Sequence, residues 1–250
     1  MKVYFIGAGP GDPGLVTLKA KQAIEEADVI IYAGSLVNPE LLRWAKAGAA
    51  VHNSAGMTFE QVTGVIARAY AEGKTVARLH TGDITLYSAI QEQIGWCVEN
   101  SVPYQVIPGV SSYSAACATL GQELTLPGIS QTVVLTRIGG RTDGPEGLEL
   151  RALAGTKATL VLFLSAQHID RVVAELSEAC GPDMPVAVVQ KASWPEEKVI
   201  TGTLRDIADK VKQAGMDKTA IIIIGEVLNK RGERSRLYDK SFGHAFRSAG

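Results

Sequence analysis

The chain opens on a short apolar strand, Val3–Ile6, that runs into a glycine-rich turn, Gly7-Ala-Gly-Pro-Gly-Asp12, with a helix to follow. A strand closed by glycines and continued by a helix is the start of a βαβ unit, which favours a sheet with parallel strands. The turn has the outline of a dinucleotide-binding fingerprint and departs from it twice. The third glycine of G-x-G-x-x-G, which lets the helix pack closely on the strand, is replaced by Asp12. The acid expected about 20 residues on is misplaced as well. Asp28 has that spacing but stands at the start of the strand Val29–Tyr32, at the wrong edge of the sheet. An anionic Asp12 beside a helix N-terminus repels a pyrophosphate. The turn therefore predicts close backbone approach to a nucleoside ligand that carries no phosphate.

Short apolar runs alternate with helical periodicity along the whole chain. Strands are predicted at Val3–Ile6, Val29–Tyr32, Thr75–Leu79, Tyr104–Ile107, Thr132–Thr136, Thr159–Phe163, Val186–Val189, Lys198–Thr201 and Ala220–Ile224. Phe59, Val62, Ile66 and Tyr70 form a helical stripe behind the capping box Thr58-x-x-Gln61. A second stripe is Leu86, Ile90, Ile94, Cys97 and Val98, and a third is Ile169, Val172, Val173 and Leu176. A fourth, Leu204, Ile207, Ala208 and Val211, follows the box Thr203-x-x-Asp206. The alternation specifies an α/β fold with a largely parallel sheet. The turn-rich stretch 121–130, with Pro127-Gly128, reads as a linker between an N-terminal α/β domain (1–120) and a C-terminal one (131–229). Two neighbouring strands around Trp194-Pro195 look like a hairpin, so the second sheet is expected to be mixed. The tail 230–250 holds six basic and two acidic residues, and reads either as a solvated end or as a basic arm over an acidic ligand or neighbouring subunit.

The bulk numbers exclude several classes. A formal net charge of −1 gives no global attraction for nucleic acid or an anionic membrane, so neither is expected as a partner. The longest apolar runs, such as Ala220–Ile224, are strand-length. Cys97, Cys117 and Cys180 form no C-x-x-C pair, and no signal-peptide pattern is present, which together predict a reducing cytoplasm. The histidines, His52, His80, His168 and His244, lie far apart, and no protein-bound metal is expected.

Three unusual loops each follow a strand: Gly7–Gly14, Thr81-Gly82-Asp83 and Pro108-Gly109-Val110-Ser111-Ser112. In an open parallel sheet the carboxyl ends of the strands line the crevice where ligands bind. Taken singly, each loop is explained by the backbone needs of a βα turn. Their convergence on one edge predicts a small-molecule site.

The run Gly7-Ala-Gly-Pro-Gly-Asp-Pro-Gly-Leu-Val-Thr-Leu-Lys-Ala20 resembles the N-terminal signature of the tetrapyrrole (corrin and porphyrin) methylases. Similar blocks follow in the family's order: Tyr32-Ala-Gly-Ser-Leu-Val37, Arg78-Leu-His-Thr-Gly-Asp83 with Leu86-Tyr87, Val106-Ile-Pro-Gly-Val-Ser-Ser112, and Lys191-Ala-Ser-Trp-Pro195. The resemblance covers residues 2 to 240 or so. Two positions depart from it, Ile84 where the family often has proline and Ser88 where it often has glycine. Tyr32-Ala-Gly-Ser-Leu, Leu124-Thr-Leu-Pro-Gly, Leu135-Thr-Arg-x-x-Gly-Arg-Thr142 and Ser235-Arg-Leu-Tyr238 look most like the members that methylate a precorrin in cobalamin biosynthesis.

The resemblance implies two α/β domains in a homodimer, with S-adenosylmethionine kinked in a cleft between the domains, and a tetrapyrrole substrate. It assigns Pro10 to the border of the adenosyl group, and Thr81, Gly82, Asp83 and Leu86 to the loop around the methionyl and sulfonium end. Ser111 and Ser112 follow, and Leu164, Ala192 and Ala220 are expected at the adenine. Acceptors and the Asp83 carboxylate suit a cationic sulfonium. The substrate's carboxylates call for cations, and Arg78, Arg137, Arg141, Lys191 and Arg236 are the candidates, with His80 beside them. Arg137 and Arg141 flank Gly139-Gly140 on a loop running to Gly147 that is long enough to close over a ring. Trp194 is read either as a stacking surface for the macrocycle or as a core residue. No residue stands out as a general base; His80 is the one candidate, against its reading as a packed loop histidine. The alternatives left open are a methylase of another tetrapyrrole carbon, or of rRNA or protein, a nicotinamide-dependent oxidoreductase, and a non-enzymatic tetrapyrrole carrier.

Overall fold

A computed structural model describes residues 1–139, 149–229, 231–235, 239, 241–243 and 245–248. The chain divides into two compact units, Met1–Ala115 with Lys191–Glu196, and Ala116–Gln190 with Glu197–Gly250.

The first unit alternates strands and helices: β1 (Val3–Gly7), α1 (Leu18–Glu26), β2 (Val29–Tyr32), β3 (Ala50–Asn53), α2 (Phe59–Ala71), β4 (Val76–His80), α3 (Ile90–Glu99) and β5 (Tyr104–Ile107). Its sheet runs β3-β2-β4-β1-β5, and every pairing is parallel. Alternate residues of each strand point to opposite faces, and both faces are covered. Phe5 and Ile31 pack with Val62 and Ile66 of α2. Ile6, Ile30 and Leu79 pack on the other face with Ala20 and Ile24 of α1 and with Leu41. This two-sided burial explains why Val29-Ile-Ile reads as a continuous apolar run rather than an alternating one. Each fully buried Ile or Leu contributes about 1.5–3 kcal/mol.

The capping box of α2 forms as the sequence specifies. The Gln61 N–H donates to Thr58 Oγ1 at 3.3 Å, and the Thr58 N–H donates to Gln61 Oε1 at 2.9 Å. The second stripe begins later than its periodicity predicts. α3 starts at Ile90, because Tyr87 and Ala89 adopt left-handed backbone (φ 55 and 49), so Leu86 belongs to a loop. Strand β3 was not predicted: it is an edge strand whose two apolar residues, Ala50 and Val51, are both exposed.

Helix α4 (Ser112–Leu120) leads to β6 (Val133–Thr136), α5 (Leu150–Ala154), β7 (Thr159–Leu162), α6 (Ile169–Cys180), β8 (Pro185–Gln190), β9 (Lys198–Thr203), α7 (Ile207–Gln213) and β10 (Ala220–Ile224). The second sheet runs β6-β7-β10-β8-β9. Only β6 and β7 pair in parallel; β10 pairs antiparallel with β7 and β8, and β8 with β9. The expected hairpin and the mixed sheet are both present. Leu160, Leu162, Val188, Ile222 and Ile224 pack with Val172 and Leu176 of α6 and Ile207 and Val211 of α7. The Thr203-x-x-Asp206 box is only half formed. Asp206 Oδ1 accepts from the Thr203 N–H at 2.9 Å, but Thr203 ends β9 and the helix starts at Ile207.

Candidate functional site

The strand order sets the carboxyl ends of β4, β1 and β5 side by side, and the three glycine-bearing loops leave from those ends. They are bonded to one another. The Ala8 N–H donates to His80 O at 2.7 Å, and Gly9 and Gly82 exchange N–H···O bonds of 3.2 and 2.7 Å. The Gly109 N–H donates to Asp83 Oδ2 at 2.9 Å. A Cβ on Gly109 would lie 2.3 Å from Gly82 O and 2.7 Å from Gly7 O, so the loops interlock only because the backbone there carries no side chain. The glycines read in the sequence as room for a ligand are thus used in part by the loops themselves.

Two more elements pin the first loop. Asn38 is buried and donates from Nδ2 to Gly11 O at 2.8 Å. Trp194 donates from Nε1 to Pro10 O at 2.8 Å, and Ser193 Oγ accepts from the Asp12 N–H at 3.0 Å. A Cβ on Gly11 would fall 2.1 Å from the indole, so the ring lies flush on the loop backbone. Trp194 is half-buried in this role, and Lys191 Nζ sits 5.9 Å from its ring centroid.

The electrostatics do not suit phosphate. Segments 7–14, 81–88 and 108–112 contain no Lys or Arg, and their charged residues are Asp12 and Asp83. Asp12 Oδ1 accepts from the Gly14 N–H at 2.7 Å. Helix α1 starts only at Leu18 and is capped by Thr17, whose hydroxyl accepts from the Ala20 N–H at 3.1 Å. The short 3-10 helix Pro13–Leu15 does begin at this turn, but its N-terminus is capped by the anionic Asp12 rather than left open as at a pyrophosphate site. Asp28, the misplaced acid, bonds Lys46 at 2.6 Å and the Thr75 N–H at 2.8 Å. Those hydrogen bonds, the one from Lys46 first, hold its carboxyl below the ordinary value.

Of the proposed cofactor residues, Pro10, Thr81, Gly82, Asp83, Leu86, Ser111, Ser112 and Ala192 fall in the first unit. Asp83 accepts from the Thr85 N–H and hydroxyl as well as from the Gly109 N–H, and α3 starts seven residues after it. Ser111 is buried, and its carbonyl accepts from the Ala115 N–H at the start of α4. The departures from the family pattern are accommodated locally. Ile84 is fully buried, and Ser88 Oγ donates to Leu86 O at 3.2 Å. Ala192 is buried between Lys191 and Ser193, both left-handed (φ 49 and 70). In the second unit Leu164 is left-handed (φ 52) yet 57% exposed, and Ala220 opens β10 directly after left-handed Thr219 (φ 53). Non-glycine residues held in this region cost of order 1–3 kcal/mol each and cluster at functional sites.

The proposed substrate residues separate by burial. Arg78 is 7% exposed and donates to two neutral partners, Gln93 Oε1 (3.1 Å) and Ser54 Oγ (2.9 Å). Burial pushes its pKa down to about 10. His80 is 6% exposed, and Nε2 has no hydrogen-bond partner among the described residues. Burial first, then the Arg78 charge, lowers its pKa to about 3 against a raising bond to the Ser88 backbone, so the ring is neutral at physiological pH. Both side chains lie inside the first unit rather than on its rim. Arg137 and Lys191 are at the surface, Lys191 paired with Glu196 at 3.6 Å. Arg141, Arg236 and the loop as far as Gly147 lie outside the described residues. Sequence reading missed Asn38, Thr85 and Ser193. The Asn38-Pro39 pair is a turn-and-cap signature that would have marked the first.

Residues 2–208 match the profile of the Tetrapyrrole (Corrin/Porphyrin) Methylases. The chain belongs to this family. Among its relatives, the chain is 54% identical over 250 residues to the cobalt-precorrin-4 C(11)-methyltransferase of Methanocaldococcus jannaschii, covering 99% of this chain and 96% of that one. It is 47% identical to the precorrin-4 C(11)-methyltransferase of Pseudomonas aeruginosa, covering 99% of each. The X-ray structure of a cobalt-precorrin-4 methyltransferase, a cobalamin biosynthetic enzyme, superposes with a TM-score of 0.89 at 43% identity, over 92% of this chain and 96% of that one. A Thermus thermophilus uroporphyrin-III C-methyltransferase, solved in complex with S-adenosyl homocysteine, gives 0.77 at 29% identity over 91% and 99%. The interlocked loops at β1, β4 and β5 are thus a feature of a tetrapyrrole methylase.

Proposed function

We propose that the protein transfers the methyl group of S-adenosylmethionine to C11 of precorrin-4 or cobalt-precorrin-4 in cobalamin biosynthesis. The observation that carries this reading is identity of 54% and 47%, along nearly the whole chain, to methyltransferases of those two substrates. The site chemistry supports it: the three loops on this glycine-lined sheet edge carry no Lys or Arg, and Asp12 sits in the first of them, which disfavours a phosphorylated nucleoside and leaves a sulfonium one acceptable. Pro10, Thr81, Gly82, Asp83, Leu86, Ser111, Ser112 and Ala192, with Leu164 and Ala220, are the proposed cofactor residues.

The sulfonium supplies a methyl group that is already activated. What remains for the protein is placement, and orienting two reactants is worth about 7–11 kcal/mol of barrier. The backbone interlock around Gly9, Gly82 and Gly109 gives a rigid wall for that purpose. The buried, neutral His80 is not a strong base, so no single side chain is assigned the chemical step. Arg137 and Lys191, with Arg141 and Arg236, are the proposed partners of the substrate's carboxylates. A homodimer working in the cytoplasm, without a resident metal, completes the proposal.

The test supplies isotopically labelled methyl donor with precorrin-4 and, separately, with its cobalt form. One added methyl group at C11 is expected with at least one of them. Transfer to another carbon, or none with either substrate, refutes the assignment.

A further inference from the structure

Asp83 is the only acid on the loop 81–88. Both of its oxygens are engaged within the protein. Oδ2 accepts from the Gly109 N–H at 2.9 Å, in the loop after β5. Oδ1 accepts from the Thr85 N–H at 3.0 Å and from the Thr85 hydroxyl. A carboxylate offers about four lone-pair positions, so most of its accepting capacity is committed. Burial alone would raise its pKa, yet the bonds from Thr85, Gly109 and Ile84 outweigh burial and hold the carboxyl below its ordinary value. The amide it grips is wedged in turn, since Gly109 is in backbone contact with both Gly7 and Gly82.

Resting on the methyltransferase reading above, we propose that Asp83 is a positioning residue. Its carboxylate splints the loop after β4 to the loop after β5, and it is not the counter-charge of the sulfonium. The two roles differ in ligand selectivity. A counter-charge favours cationic S-adenosylmethionine over the neutral thioether of S-adenosylhomocysteine, whereas a splint shapes the pocket for both alike. Asparagine keeps the shape of aspartate but has one acceptor oxygen, so it can hold Thr85 or Gly109 and not both.

The experiment titrates wild type, Asp83→Asn and Thr85→Val calorimetrically with each compound, and follows amide hydrogen exchange of peptides covering 81–88 and 105–112. Asp83→Asn is expected to weaken both ligands about tenfold, with the ratio of the two affinities staying within about twofold of wild type. Faster exchange is expected in those two peptides and not in peptides covering β7 and β10. Thr85→Val, which removes one hydroxyl bond on an exposed residue, is expected to give a smaller and equally shared loss, and it carries the ratio test if Asp83→Asn does not fold. Loss confined to S-adenosylmethionine would establish the counter-charge and overturn the proposal. So would wild-type affinity of Asp83→Asn for both compounds, or unchanged exchange in both peptides. Wild-type protein that bound neither compound would refute the methyltransferase reading itself.

Discussion

Replacing His80 with asparagine should remove most of the acid sensitivity of the first unit between neutral pH and pH 5. In the fold the imidazole titrates at about 3, and in the unfolded chain at the ordinary 6.5. Between those values the unfolded state binds the extra proton, so stability rises with pH. The contribution is fully present above 6.5 and is lost as pH falls toward 3. Each pH unit below the unfolded value costs about 1.4 kcal/mol, so at about pH 5 the loss from this one ring is about 2 kcal/mol. Because the side chain is nearly inaccessible, this figure needs no discount for solvent screening.

The assay is urea denaturation followed by tryptophan fluorescence. All three tryptophans, Trp44, Trp96 and Trp194, belong to the first unit, so the signal reports the unit that holds His80. Asparagine can keep a hydrogen bond to the Ser88 backbone and cannot acquire a proton in this range. Wild type should lose about 2 kcal/mol more than the variant between about pH 7.5 and about pH 5, whatever the fixed cost of the substitution. Parallel stability curves for the two proteins would mean that His80 is solvated and titrates normally, and the buried-ring account would fail.

Two further substitutions test the loop architecture. Gly109→Ala puts a methyl group 2.3 Å from Gly82 O, which should cost about 1–3 kcal/mol and abolish S-adenosylhomocysteine binding by calorimetry; retained binding would mean that the interlock is dispensable. Trp194→Phe keeps an aromatic ring on Gly11 and removes the bond to Pro10 O. It should weaken S-adenosylhomocysteine by about five- to tenfold, and unchanged affinity would detach this residue from the site.

Strands β2, β5 and β10 were legible to the residue, because each is a short apolar or β-branched run bounded by turn residues. Strand β3 was not, since a solvated edge strand needs little apolar surface and is specified by its pairing with β2. The start of α3 was hidden for a different reason. Leu86 stands four residues before Ile90 and extends the helical pattern by accident, while bonds from Thr85 and Ser88 hold that stretch as a loop. The packed reading of His80 holds, whereas the burial of Arg78 departs from its reading as a cation for the substrate's carboxylates. Both share strand parity with Val76, a core position, so in a sheet covered on both faces they had to point under a helix layer.

The convergence of three loops on one edge was readable from spacing alone, and Asp12 already argued against phosphate, but the internal pairing of the loop N–H groups was not readable. A pyrophosphate-binding turn leaves backbone N–H groups pointing at the ligand. Here the N–H groups of Ala8, Gly9, Gly14, Gly82 and Gly109 all find acceptors inside the protein. Such pairing depends on which loops become neighbours, and that follows from β1 lying between β4 and β5, a fact of topology that no local pattern carries. With those donors engaged inside the protein, the glycine-rich turn does not present them to a ligand. Without those donors, and with the negative charge of Asp12 beside them, the turn is a poor host for an anion. The same glycines that imitate a dinucleotide fingerprint in the sequence therefore build, in the fold, a turn that lacks that fingerprint's grip on phosphate.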